Sequence, residues 1–192
     1  CHSMSVGSAS CLFGENHVQE LVSKHDALPT DIEWHFTGHL QRNKVKYIVP
    51  FVSLIHSVDS LRLLDEIDRQ GAKCGRVIPC LLELHIANEE SKFGFLPDEL
   101  EWLLSSGQLK GYSHVSLRGL MCMATNTDDE EEIDREFGYA QSVFDNLKSR
   151  YFADDKDFCE LSMGMSDDYP IALRHGSTLI RVGTKIFGNR EY

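Results

Sequence analysis

Short apolar runs of strand length alternate along this chain with longer stretches in which apolar residues recur every three or four positions. The runs at Cys11–Phe13, Glu33–Thr37, Leu54–Val58, Pro79–Ile86, Leu117–Met123, Phe158–Met163 and Thr178–Val182 predict seven strands. Between them the spacing predicts helices over Asn16–His25, His39–Val49, Ser60–Gln70, Pro97–Ser106, Asp129–Tyr151 and Asp167–His175. In the longest, Ile133, Phe137, Ala140, Phe144, Leu147 and Tyr151 form one apolar stripe suited to lie on a sheet. The acidic run Asp128–Asp134 at its start reads as a solvated first turn that complements the helix dipole. A cation site there is disfavoured, because a helical turn fans carboxylates apart while hard cations need converging oxygens. Strand and helix in regular alternation predict an α/β fold on a parallel sheet.

Polar residues and glycines collect where each strand ends: Gly14 to Asn16, His35 to His39, Asp59, Asn88 to Lys92, Ala124 to Asn126, Ser166 and Thr184. Barrels and open α/β sheets place their functional groups there. The last two segments, Leu161–Asp168 and Gly176–Thr184, repeat one plan of strand, glycine, hydroxyl residue and helix start. Ser166 is expected at an N-cap, with Pro170 in the first turn and Gly176 as the stop. The second helix is expected to open at Gly183 and Thr184. Two adjacent helix starts offer unpaired N–H groups to a phosphate, and in a (β/α)₈ barrel the loops after strands seven and eight commonly hold one.

Composition changes this picture little. With 192 residues, 42% of them hydrophobic, the chain can bury one substantial core and is expected to form a single domain over 1–192. A net charge of −11 argues against nucleic acid or an anionic membrane as partner. Six cysteines without a regular spacing indicate a reducing compartment, hence the cytoplasm. No apolar run approaches membrane-spanning length, and Cys1–Ser10 lacks the regions of a signal peptide. The missing initiator Met suggests that translation began upstream. Other motifs fail: Gly164–Asp168 lacks the final glycine of a nucleophile elbow, and His35 and His39 lack the helix and glutamate of a zincin.

Several segments together resemble the pyridoxal phosphate homeostasis protein family, whose barrel is like the N-terminal domain of alanine racemase. They are Phe13–Glu20, Trp34–Lys44, His56–Ser60, Glu90–Gly94, Arg118–Met121, Leu161–Asp168 and Gly176–Tyr192, in the family's order. The resemblance implies a (β/α)₈ TIM-type barrel, of which seven of eight βα units are recognisable here, binding pyridoxal 5′-phosphate at its mouth. It implies that Ser166 with Gly183 and Thr184 holds the phosphate, and that Arg181 faces the pyridine nitrogen. Asn16, His35 and Met163 are implied to line the ring pocket. The family's covalent lysine lies on a first strand that is expected to be absent, with residues 1–11 atypical, so that lysine is expected to be missing from this chain; Lys92 and Lys185 are the substitutes to test.

Strand parity supports one of these assignments independently, since Leu179, Arg181 and Gly183 share a face opposite Ile180 and Val182. An inward Arg181 reads either as a structural cation paired with a carboxylate such as Glu15, or as a guanidinium beside the ring. The function expected is non-enzymatic carriage and buffering of pyridoxal phosphate by a monomer, with dependent enzymes as clients. The alternatives are a racemase-like enzyme and a truncated fragment without ligand competence.

Overall fold

The computed structural model describes residues 12–87 and 93–188. Cys11, residues 88–92 with Lys92, the atypical first residues and the last four lie outside them. The described chain runs β1 (Leu12–Glu15), α1 (Val18–Ala27), β2 (Glu33–Phe36), α2 (Val45–Ile48), β3 (Leu54–Val58), α3 (Leu61–Cys74) and β4 (Ile78–Glu83). It continues through α4 (Pro97–Ser105), β5 (Val115–Met121), α5 (Glu130–Tyr151), β6 (Glu160–Met165), α6 (Tyr169–Arg174), β7 (Leu179–Arg181) and α7 (Thr184–Phe187). Every neighbouring strand pair is parallel, in sequence order.

The sheet curls into a nearly closed barrel. β3 and β6 stand three places apart, which in a flat sheet means roughly 14 Å. His56 on β3 nevertheless approaches Ser162 on β6 to 2.9 Å through the interior. Alternation divides the side chains into two layers. Outward residues such as Phe36, Ile55, Leu82 and Leu161 join the helices in the main core, with Ile133, Phe137, Ala140, Phe144 and Leu147 of α5. Inward, Leu54, Leu81 and Met121, with Met123 and Leu179 against them, form a small separate apolar cluster inside the barrel.

Element ends show which local signals held. Asp129 caps α5, accepting from the N–H groups of Glu131 and Glu132 at 3.0 and 3.3 Å. Gly176, at φ 76°, closes α6: its N–H reaches Leu173 O and that of Ser177 reaches Ala172 O, a Schellman closure. Ser166 does not cap α6, which starts three residues later with Asp168 at the cap. Over the expected helix His39–Val49, only a 3₁₀ turn at Arg42–Lys44 and the four residues of α2 are helical. Tertiary contacts keep the start of that segment extended: Ser57 Oγ donates to Gly38 O, and a Cβ on Gly38 would lie 2.2 Å from Asn16 O. β6 begins after Phe158, whose fully buried ring stacks on Phe152 at 3.9 Å instead of extending the ladder. β5 starts and ends two residues before the expected Leu117–Met123. Among the described residues Cys74, Cys80, Cys122 and Cys159 are free thiols, and no helix is long and apolar enough to cross a membrane.

Candidate functional site

The C-terminal ends of β6 and β7 are laced together by short local devices. Gly164 adopts φ +92°, where a Cβ would also meet Ala172 Cβ at 2.6 Å, so only glycine turns the chain there. The turn brings Ser166 into a buried position, where its Oγ accepts the Gly183 N–H at 3.2 Å. The next two N–H groups, of Thr184 and Lys185, have no partner among the described residues. Because α6 and α7 span six and four residues, any pull on an anion comes from these N–H groups and not from long helix dipoles.

Arg181 is 4% exposed and points into the barrel, as its parity predicts. Its Nη1 donates to Ser162 O at 2.9 Å and to Ser162 Oγ at 2.8 Å, and its Nη2 donates to Cys122 O at 2.9 Å. The reading that paired it with Glu15 is corrected: Glu15 pairs with Lys24, and no carboxylate among the described residues lies at ion-pair distance from the guanidinium. Burial lowers its pKa, with Asp168 and Glu83 among the groups acting against that shift. Two of its five N–H groups, on Nε and Nη2, remain without a protein partner among the described residues.

From Ser162 the hydrogen bonding continues across the barrel. His56 Nδ1 lies 2.9 Å from Ser162 Oγ, and His56 Nε2 lies 2.9 Å from His35 Nδ1. Burial pushes the His35 pKa down to about 4; burial, then His35 and Arg181, hold His56 well below the usual histidine range. Both rings are therefore neutral at pH 7. Glu83, at the end of β4 and 4% exposed, makes no side-chain hydrogen bond within the described residues. Burial and then Asp59 push its pKa up to about 7, against an opposing effect of Arg181.

Of the expected residues, Ser166, Arg181, Gly183 and Thr184 come together around the ends of β6 and β7, and His35 joins them through His56 and Ser162. Asn16 sits at the end of β1, its Oδ1 accepting from Thr37 Oγ1 at 2.6 Å. Met163 does not join: it shares the parity of Leu161, opposite Ser162, and is buried in the core between sheet and helices. His39 turns away from His35, placing Nδ1 3.1 Å from Asp59 and stacking on Phe93 at 3.9 Å. Lys185 is exposed, with Nζ 5.2 Å from the Tyr169 ring centroid. His56, Ser162 and Glu83 escaped the sequence reading, although a histidine in the apolar run Leu54–Val58, at the parity of Leu54, was a visible signal.

Residues 5–191 match the family model described as the N-terminal domain of alanine racemase. The pyridoxal phosphate homeostasis protein of Aquifex aeolicus is 38% identical over 182 residues, covering 94% of this chain and 78% of that protein. Two solved structures of PipY from Synechococcus elongatus are 37% identical and cover 92% of this chain and 81% of PipY. The one without PLP superposes with a TM-score of 0.84 and the one with PLP bound with 0.80. By sequence over nearly its whole length and by fold, this chain belongs to the alanine racemase N-terminal-domain family, alongside the proteins named for pyridoxal phosphate homeostasis.

Proposed function

We propose that this chain binds pyridoxal 5′-phosphate at the C-terminal ends of β6 and β7 and serves as a non-enzymatic holder of the cofactor in its homeostasis, with dependent enzymes as clients. The observation that carries the reading is Arg181: a buried guanidinium held by two carbonyls and a hydroxyl, with no carboxylate at ion-pair distance and two N–H groups to spare among the described residues. Buried charges are normally paired, so this one is arranged for a ligand that brings acceptor atoms and negative charge. The Thr184 and Lys185 N–H groups and the Ser166 hydroxyl, whose oxygen already accepts from Gly183 N–H, supply phosphate donors at the same strand ends. The name shared by relatives at 38% identity and the PLP-bound relative agree with that chemistry.

When bound, the cofactor supplies an electron-withdrawing pyridine ring. Arg181 stays protonated and offers hydrogen bonds to the ring nitrogen without giving it a proton, which keeps that ring a weak electron sink. Ser166, Gly183 and Thr184 would hold the phosphate, and Asn16 and His35 would border the ring; Met163, facing the outer core, drops out of the set. Absorbance titration with pyridoxal phosphate tests this, with borohydride reduction and peptide mapping to find any covalently modified lysine. Saturable binding is expected, weakened about tenfold in Ser166→Ala, the size of a lost hydrogen bond. The absence of saturable binding would overturn the reading. Change of optical rotation with an added amino acid would overturn its non-enzymatic part.

A further inference from the structure

We infer that His56 and Ser162 are positioning residues: with Arg181 they form one directional chain of hydrogen bonds that fixes His35 as a donor, its Nε2–H turned to the barrel mouth to meet the phenolic oxygen of the bound pyridine ring. The ligand half of this inference rests on the cofactor reading above. The chain itself stands on the protein alone.

The direction follows from proton inventory. A guanidinium can only donate, so Ser162 Oγ accepts from Arg181 Nη1 at 2.8 Å. The hydroxyl has one proton of its own, and His56 Nδ1 is the acceptor at 2.9 Å. Were that nitrogen the protonated one, the buried Ser162 proton would have no acceptor, at a cost of about 1–3 kcal/mol. His56 therefore carries its proton on Nε2 and passes it toward His35 Nδ1 at 2.9 Å. His35 in turn carries its proton on Nε2. That nitrogen has no hydrogen-bond partner among the described residues, and since no fully buried side-chain polar atom among them is left unsatisfied, Nε2 is not sealed off from a ligand.

Three features make the arrangement more than a tolerated buried network. It joins four strands, β2, β3, β6 and β7, so the donor at one side of the mouth is referenced to the cation at the other. It begins at a group that cannot reverse its role, so no link can flip without breaking the next. Burial keeps both imidazoles neutral, so the His35 donor carries no charge of its own near physiological pH.

Nitrogen NMR of the imidazole side chains in the ligand-free protein tests the chain directly. Both His35 and His56 are expected to be neutral and protonated on Nε2. In Ser162→Ala the direction is lost and His35 should show a mixture of tautomers, whereas Ser162→Thr, which keeps a hydroxyl, should restore the single form. Should Ser162→Ala fail to fold, His56→Gln against His56→Leu makes the same contrast, since only the amide can accept from Ser162 and donate onward. A wild-type His35 protonated on Nδ1, or a tautomer pattern unmoved by these variants, would overturn the inference. Pyridoxal phosphate titration is the second arm: Ser162→Ala should bind about tenfold more weakly with a shifted absorbance band, and Ser162→Thr should not. Expected tautomers without any binding by the wild type would overturn the ligand half and the cofactor reading together, leaving the hydrogen-bond chain established.

Discussion

Glu83 gives the sharpest quantitative test of the barrel interior. Its carboxyl sits 4% exposed at the end of β4, and burial followed by Asp59 pushes its pKa from 4.5 to about 7. Native protein therefore holds a proton between pH 4.5 and 7 that the unfolded chain has already released, so this residue's contribution to stability falls as pH rises through that window. At 1.36 kcal/mol for each pH unit between the two values, the full penalty above pH 7 is about 3 kcal/mol. Glu83→Gln keeps a neutral group of the same shape at every pH. Its stability relative to wild type should rise by about 3 kcal/mol between pH 4.5 and pH 8, read as urea midpoints with an unchanged slope. His35 works in the opposite sense, because its pKa of about 4 against 6.5 means stability is lost as pH falls from 6.5 toward 4. The two slopes oppose each other between pH 4.5 and 6.5, so Glu83→Gln should also titrate more steeply on the acid side. A stability difference between variant and wild type that stays constant from pH 4.5 to 8 would refute the reasoning, since it would mean that the carboxyl ionises in the fold as it does in water.

The other expectations concern packing and anchoring. Gly38→Ala places a Cβ 2.2 Å from Asn16 O and should cost about 1–3 kcal/mol in urea denaturation, with the ends of β1 and β2 displaced. Phe137→Ala empties a fully buried site under α5 and should cost about 3–5 kcal/mol by the same measurement. Arg181→Lys cannot reach Ser162 and Cys122 with one fork, and should lower stability by about 2 kcal/mol in thermal or urea melts even without ligand.

The fold was legible because its signals are local and repeated. All seven strands lie within two or three residues of where apolar runs place them, and the α5 stripe from Ile133 to Leu147 is buried as its spacing predicts. What was misread depends on contacts distant in sequence. Nothing between His39 and Val49 announces that Gly38 is pinned between Asn16 and Ser57, and that pinning keeps the segment from being helical at its start. The site shows the same division. Arg181 pointed inward by parity alone, and Ser166 with Gly183 followed from adjacent turns. Ser162 and Met163 are neighbours on one strand, and deciding which faces the interior required knowing where β6 begins; a start two residues later than the apolar run suggests makes Phe158 a plug rather than a strand residue. Glu83 was invisible because a single acidic residue at a strand end looks the same whether it is solvated or buried.

The charge of the whole chain and the charge of its interior point in different directions, and the difference bears on what can enter. A net charge of −11 repels polyanions over the length of a Debye layer. Inside the barrel the balance reverses. Arg181 keeps its proton, His35 and His56 are neutral, and Glu83 is half protonated near pH 7, so the described inner layer carries a cation that its one raised carboxyl only partly offsets. A small anion that reaches the mouth passes from a screened repulsive surface into a place where low dielectric strengthens every remaining attraction. The selectivity that follows is by size as much as by charge. Raising the ionic strength should therefore speed entry of a phosphate-bearing ligand, by screening the surface, while changing its dwell time little, because the contacts that retain it are buried. Stopped-flow titration at low and high salt separates the two: an exit rate that climbs as steeply as the entry rate would place the attraction at the surface and remove the buried guanidinium from its role.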